Sequence, residues 1–244
     1  MNIQTAIIDG ARILKTKSIV NSNLDSEILM AEAINKSREF VILNSNFTID
    51  KKDLKNFYNL IEKRSAREPI AHITNKKCFW SSEFFVTKDT LIPRPDTELV
   101  IENVLNLTKN RESLRILDIG IGSGCILLSI LKEKKNFYGT GIDISKKCID
   151  LSKKNSFKLN LDKRAKFFKS NVDNFNYGKY DLIISNPPYI KKFDLKYLEK
   201  DVVNFEPKLA LNGGLDGLSE IRKVINKSSE LIKTNGKLIL EIGF

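Results

Sequence analysis

Apolar residues recur with helical spacing at Ile3, Ile7, Ala11 and Leu14, and again at Leu54, Phe57, Tyr58 and Ile61. Between these runs, Asp25 to Asn35 carries Ile28, Leu29, Ala31 and Ala33, a helix with two apolar faces that belongs inside a small bundle. Asp50 is placed to cap the last helix. Residues 1–68 therefore read as a helical domain. From Ile70 the apolar runs shorten to Ile70-Ala71-His72-Ile73, Phe79-Trp80 and Glu83-Phe84-Phe85-Val86, separated by Asn75-Lys76-Lys77 and Ser81-Ser82. Such punctuation predicts a β-hairpin linker over 69–90, with His72 and Trp80 as packing residues.

From Leu91 onward, strand and helix alternate. Arg115 to Asp118, Phe137 to Ile142, Ala165 to Lys169, Asp181 to Ser185 and Lys237 to Glu241 read as strands, with helices near 96–108, 124–134, 145–160 and 216–233. Short continuous apolar strands separated by helices predict an α/β domain over 91–244, a doubly wound parallel sheet covered on both faces.

Composition narrows the chemistry. With 41% hydrophobic and 29% charged residues the chain is ordinary for a globular protein, and no run approaches the ~18 apolar residues of a membrane span. The start, Met1-Asn2-Ile3-Gln4-Thr5, lacks a charged segment followed by a signal core, so a cytoplasmic protein is expected. Cys78, Cys125 and Cys148 are far apart and His72 is the single histidine, which argues against a zinc site, a disulfide scaffold and a histidine-dependent triad. Cys125, opening a helix, reads as a small core residue. The net charge of +11 favours an acidic partner, although pairs such as Lys51-Lys52 and Lys153-Lys154 also read as solvated helix ends, and aromatic residues are not interleaved with arginines.

The first strand of the α/β domain runs from Asp118 into Ile119-Gly120-Ile121-Gly122-Ser123-Gly124. Three glycines in so short a turn let the backbone approach a ligand where any Cβ would block it. The G-x-G-x-G spacing lacks the frame that aims a helix at a pyrophosphate, so a nucleoside ligand without that group is favoured over a dinucleotide. Asp143, ending the second strand, stands where a carboxylate accepts hydrogen bonds from both ribose hydroxyls. Ribose plus close backbone contact points to S-adenosylmethionine.

Asn186-Pro187-Pro188-Tyr189 follows the fourth strand directly. With strand order 3-2-1-4-5, strands 1 and 4 are neighbours at the topological switch point, and this tetrapeptide shares one crevice with the glycine turn. An amide or exocyclic amino nitrogen is a poor nucleophile because its lone pair is delocalised, so methylating one requires holding it in line. The Asn186 side-chain oxygen and the Pro187 carbonyl can each accept one N–H, the two prolines stiffen the loop, and Tyr189 can lay its ring on the planar group. No general base is required before transfer.

These motifs resemble the protein glutamine methyltransferases of the HemK/PrmC type. The resemblance extends through Glu68-Pro69-Ile70-Ala71-His72-Ile73, Leu91-Ile92-Pro93-Arg94-Pro95-Asp96-Thr97-Glu98, Phe205-Glu206-Pro207, Asp216-Gly217-Leu218 and Glu241-Ile242-Gly243. It implies a class I S-adenosylmethionine-dependent methyltransferase sheet preceded by a bundle that docks class I peptide chain release factors, the substrate being the glutamine of their Gly-Gly-Gln motif. It also implies a monomer that needs neither metal, membrane nor direct nucleic-acid binding. Asp118, Gly120, Ile121, Gly122, Ser123, Gly124, Asp143, Asn171, Val172 and Asn186 would contact the cofactor; Asn186, Pro187, Pro188 and Tyr189 the substrate glutamine. Arg94 and Glu98 would shape the mouth of the site. Two departures stand out: the family usually has an acidic and an aromatic residue where this chain has Asn171 and Val172, and it continues with a further helix and strand pair beyond the fifth strand, so that strand is expected at an exposed edge. The same motifs also suit an adenine-N6 DNA methyltransferase, a ribosomal protein glutamine methyltransferase, or a binder of release factors without catalysis.

Overall fold

The computed structural model describes residues 1–243, which divide into two compact units, one covering Met1–Asn75 and one starting at Lys76. The first unit is a bundle of α1 (Ile3–Thr16), α2 (Ser22–Ala33), α3 (Arg38–Leu43), α4 (Lys51–Ser65) and α5 (Ile70–Thr74). Side chains cap three of these helices: Asn2 accepts from the Thr5 N–H at 2.8 Å, Ser37 from Phe40 at 3.2 Å and Asp50 from Asp53 at 2.7 Å. The helical periodicity becomes one core of Ile3, Ala6, Leu14, Leu29, Met30, Phe57 and Ile61. At Gly10 a Cβ would come within 2.7 Å of the Phe57 ring, so close approach of α1 and α4 requires glycine there. Ile70 to Ile73, expected as an extended run, instead forms α5: a four-residue apolar run carries no period of its own, and Pro69 stands at the helix start.

The second unit opens with the antiparallel hairpin of β1 (Lys76–Phe79) and β2 (Ser82–Phe85), turned at Trp80, whose φ is 52°. Then follow α6 (Glu98–Leu107), β3 (Arg115–Ile119), α7 (Cys125–Glu133), β4 (Tyr138–Asp143), α8 (Lys146–Lys158), β5 (Ala165–Lys169), β6 (Tyr180–Ser185), α9 (Lys200–Phe205), α10 (Ser219–Leu231) and β7 (Ile232–Leu240). The five long-range strands pair in parallel in the order β5-β4-β3-β6-β7, the expected 3-2-1-4-5 arrangement, with β5 and β7 at the edges. Alternate residues of β3 bury opposite faces: Ile116 joins Leu127, Ile130 and Leu182 on one side, and Leu117 and Ile119 join Ile183 and Val224 on the other. β7 begins earlier than its apolar residues indicate. Ile232 pairs with Tyr180, an irregularity follows, and Lys237 to Leu240 pair with Leu182 to Ser185; Asn235, with φ 64°, and Gly236 take up the shift. No helix among the described residues is long and apolar enough to cross a membrane.

Candidate functional site

A cavity of about 480 Å³ opens at the carboxyl ends of β3, β4 and β6, where the strand order reverses. The glycine turn forms its floor. Gly120, Gly122 and Gly124 have φ of 79°, 54° and 82°, and the N–H groups of Gly120 and Ile121 both donate to the Ile142 carbonyl at 2.9 Å. A Cβ on Gly120 would meet no atom of the described residues within 4 Å, so none of them packs into the space beside this backbone. That cradle fits a ligand lying against the main chain. Behind the turn, Ser152 donates to the Gly122 carbonyl at 2.8 Å, and Asn155 donates to the Ser123 carbonyl at 2.8 Å and to Phe85 at 3.0 Å. α8 and the hairpin thereby hold the turn in shape.

Asp143 stands at the cavity wall. One carboxylate oxygen accepts from the Gly122 N–H at 3.1 Å and the other from Ser145 at 2.8 Å. A carboxylate has about four acceptor positions, so capacity remains for a diol. Burial raises its pKa, against the two backbone donors that lower it. Ile121, Ser123, Asn171 and Val172 also line the cavity; the Asn171 side-chain oxygen is used in accepting from the Asp173 N–H at 3.2 Å.

Two expected cofactor contacts lie elsewhere. Gly124 is not a lining residue: it packs against Leu128 and Ser152. Asp118 is 2% exposed and also outside the lining, because its alternate position on β3 turns it into the interior. Its Oδ1 accepts no hydrogen bond from the described residues, and burial, with Asp143 nearby, pushes its pKa from 3.8 up to about 8. A proton that the fold holds more tightly than the unfolded chain contributes stability that is full below 3.8 and is lost as pH rises toward about 8. Thermal melting is therefore expected to fall across that window, and Asp118→Asn to flatten the slope; an unchanged slope would show that another group sets it.

Asn186, Pro187 and Pro188 also line the cavity. The Asn186 Nδ2 donates to the Thr97 hydroxyl at 3.3 Å, which leaves Oδ1 as the end available to a ligand. Ser185, just before, donates to the Ile119 carbonyl at 2.6 Å and ties β6 to β3 beneath both motifs. Tyr189 is set back from the cavity: a Cβ on Gly243 would lie 2.6 Å from its ring, and burial together with Glu241 raises its pKa. Arg94 does line the mouth, paired at 2.5 Å with Glu206, which is 6% exposed and also accepts from the Ile92 N–H at 3.1 Å. Glu98 does not; it accepts from the Trp80 backbone N–H at 2.7 Å, and the Trp80 indole donates to Glu133 at 2.8 Å. Cys125 is a buried residue whose thiol is pushed up to about 12 by burial. No cluster of three or more His, Cys, Asp or Glu side chains suited to a metal occurs among the described residues.

The PrmC N-terminal domain model matches residues 5–74, and the methyltransferase small domain model matches residues 95–209. A release factor glutamine methyltransferase from Clostridium acetobutylicum is 37% identical over 246 residues, covering 100% of this chain and 86% of that protein. A bifunctional methyltransferase from Rickettsia bellii is 34% identical over 270 residues, covering 100% of this chain but 49% of that protein, so the chain spans about half the length of such relatives. Among solved structures, a SAM-dependent methyltransferase from Geobacter sulfurreducens in complex with S-adenosyl-L-homocysteine aligns with a TM-score of 0.39 at 15% identity, over 58% of this chain and 47% of that one.

Proposed function

The chain belongs to the release factor glutamine methyltransferase family, and from that premise we propose that it methylates the side-chain amide nitrogen of the glutamine in the Gly-Gly-Gln motif of class I peptide chain release factors. The observation that carries the proposal is the Asn186 amide, held through its Nδ2 at the switch-point cavity so that an acceptor faces the ligand space. The proposed donor is S-adenosylmethionine, held by Gly120 to Ser123, Asp143, Asn171 and Val172; when bound it supplies an electrophilic methyl group. Asp143 would accept from the ribose hydroxyls.

On this reading the chain does its work by orientation. Asn186 Oδ1 and the Pro187 carbonyl accept the two N–H bonds of the substrate amide, which fixes the nitrogen and directs its lone pair across the cavity. As positive charge develops on that nitrogen, the same two oxygens stabilise it without reorganising, because Pro187 and Pro188 restrict the loop. The proton is then lost readily from the alkylated nitrogen. The bundle of residues 1–74 supports a protein substrate, docking part of the release factor, and the proposed substrate implies a cytoplasmic reaction. Incubation with labelled S-adenosylmethionine and, separately, release factor, ribosomal proteins and DNA tests the reading. Label in release factor is expected; label confined to DNA or to a ribosomal protein would replace this reading with an adenine or ribosomal specificity.

A further inference from the structure

Asn186 can act as an acceptor only if its amide is turned one way. The oxygen and nitrogen ends of an asparagine are nearly isosteric, so the neighbours decide the orientation. β7 runs parallel to β6 with Leu240 opposite Ser185, and the Glu241 N–H donates to the Ser185 carbonyl at 3.0 Å; the next pair in register is therefore Asn186 and Glu241. The Glu241 carboxylate is half-buried and faces the Thr97 hydroxyl and the Asn186 side chain. Thr97 is 3% exposed and accepts from Asn186 Nδ2, so its own hydroxyl proton is free to point to the carboxylate.

We propose that Glu241, with Thr97, is a positioning residue that holds the Asn186 amide with Nδ2 toward β7 and Oδ1 toward the substrate. This inference rests on the role given to Asn186 above. An ionised carboxylate only accepts hydrogen bonds, so it favours the nitrogen end of the amide and repels the oxygen end. A flipped amide would set a donor against the donors of the substrate NH2. Glu241 Oε2 is buried and takes no hydrogen bond from the described residues, a cost the fold carries at this position. The charged and titratable groups facing it are Asp96, Arg94 and Tyr189; burial raises its pKa, Asp96 adds to the rise, and Thr97, Asn186 and Arg94 oppose it. Protonation turns the acceptor into a donor and permits the flipped amide, so turnover should fall as pH drops through this raised pKa.

The test is Glu241→Gln, assayed at saturating cofactor and release factor. Turnover should fall by about tenfold to a hundredfold, the usual cost of losing the group that orients a functional side chain, with KM and cofactor affinity unchanged. The acid limb of the wild-type profile should vanish. Thr97→Val should reproduce the loss and Thr97→Ser should restore activity, which also covers the case in which Glu241→Gln melts. In the Asn186→Ala background Glu241→Gln should cost nothing further. Wild-type turnover in Glu241→Gln, or a loss that adds to that of Asn186→Ala, would overturn the proposal. The side-chain amide NMR signals of Asn186 report the orientation without any substrate: they should titrate with Glu241 in the wild type and stay fixed in Glu241→Gln. If the wild type transfers no methyl to release factor, the functional reading fails while these signals still decide the role of Glu241; a pH-independent wild-type signal would refute it.

Discussion

Asn186→Ala is expected to lower turnover on release factor by on the order of a hundredfold, the usual consequence of removing one preorganised partner of a developing charge. The substitution deletes Oδ1, one of the two acceptors proposed for the substrate amide, and leaves the Pro187 carbonyl. The nitrogen keeps its place in the cavity but gains freedom to rotate out of line. Because Asn186 shares the wall with Pro187 and Pro188 rather than the glycine cradle, cofactor affinity should change much less. Single-turnover methyl transfer beside calorimetric cofactor binding separates the two quantities. An unchanged rate would remove Asn186 from the mechanism; a parallel fall in cofactor affinity would make it a cofactor ligand first.

Asp143→Ala should act on the opposite quantity, weakening S-adenosylmethionine binding by ~1.5 to 3 kcal/mol, the worth of a hydrogen bond to a charged group. In dissociation constants that is roughly tenfold to over a hundredfold. The carboxylate also accepts from Gly122 and Ser145, so its loss frees the glycine turn and the start of α8, and thermal stability should fall as well. Asp143→Asn keeps the size and one acceptor, so only one of the two backbone donors is held again and the effects separate in part: stability should return partially while affinity stays low. Since burial raises the Asp143 pKa, affinity in the wild type should decline as pH falls at a higher pH than an exposed carboxylate would give. A dissociation constant that does not move in Asp143→Ala would contradict the ribose assignment.

Most of the sheet and both motifs were legible in the chain because they are local. An apolar strand running into Gly120 to Gly124, and another running into Asn186 to Tyr189, carry their geometry in adjacent residues. The sheet order then brings them together. What the sequence does not display is support that arrives from a distance: Asn155 holds the glycine turn and the hairpin from 70 positions beyond Phe85, and Glu206 reaches Ile92 across 114. Thr97, Glu206 and Glu241 lie within the blocks that carry the family resemblance, yet only the fold shows what each one touches. Asp118 illustrates the converse. It stands one residue before the end of the strand that feeds the glycine turn, but one residue decides which face a side chain takes, and its carboxyl is buried. Ile70 to Ile73 and the start of β7 escape the pattern for a third reason: four residues are too few to separate the helical from the extended period, and Asn235-Gly236 interrupts the apolar spacing at the point where the strand bulges.

Transfer of one methyl group to one glutamine is read out by mass spectrometry of release factor after incubation with the chain and S-adenosylmethionine. A single added methyl on the Gly-Gly-Gln glutamine, absent when that glutamine is replaced, is the predicted result. Unmodified release factor in the presence of bound cofactor, or a methyl on any other residue, would contradict it.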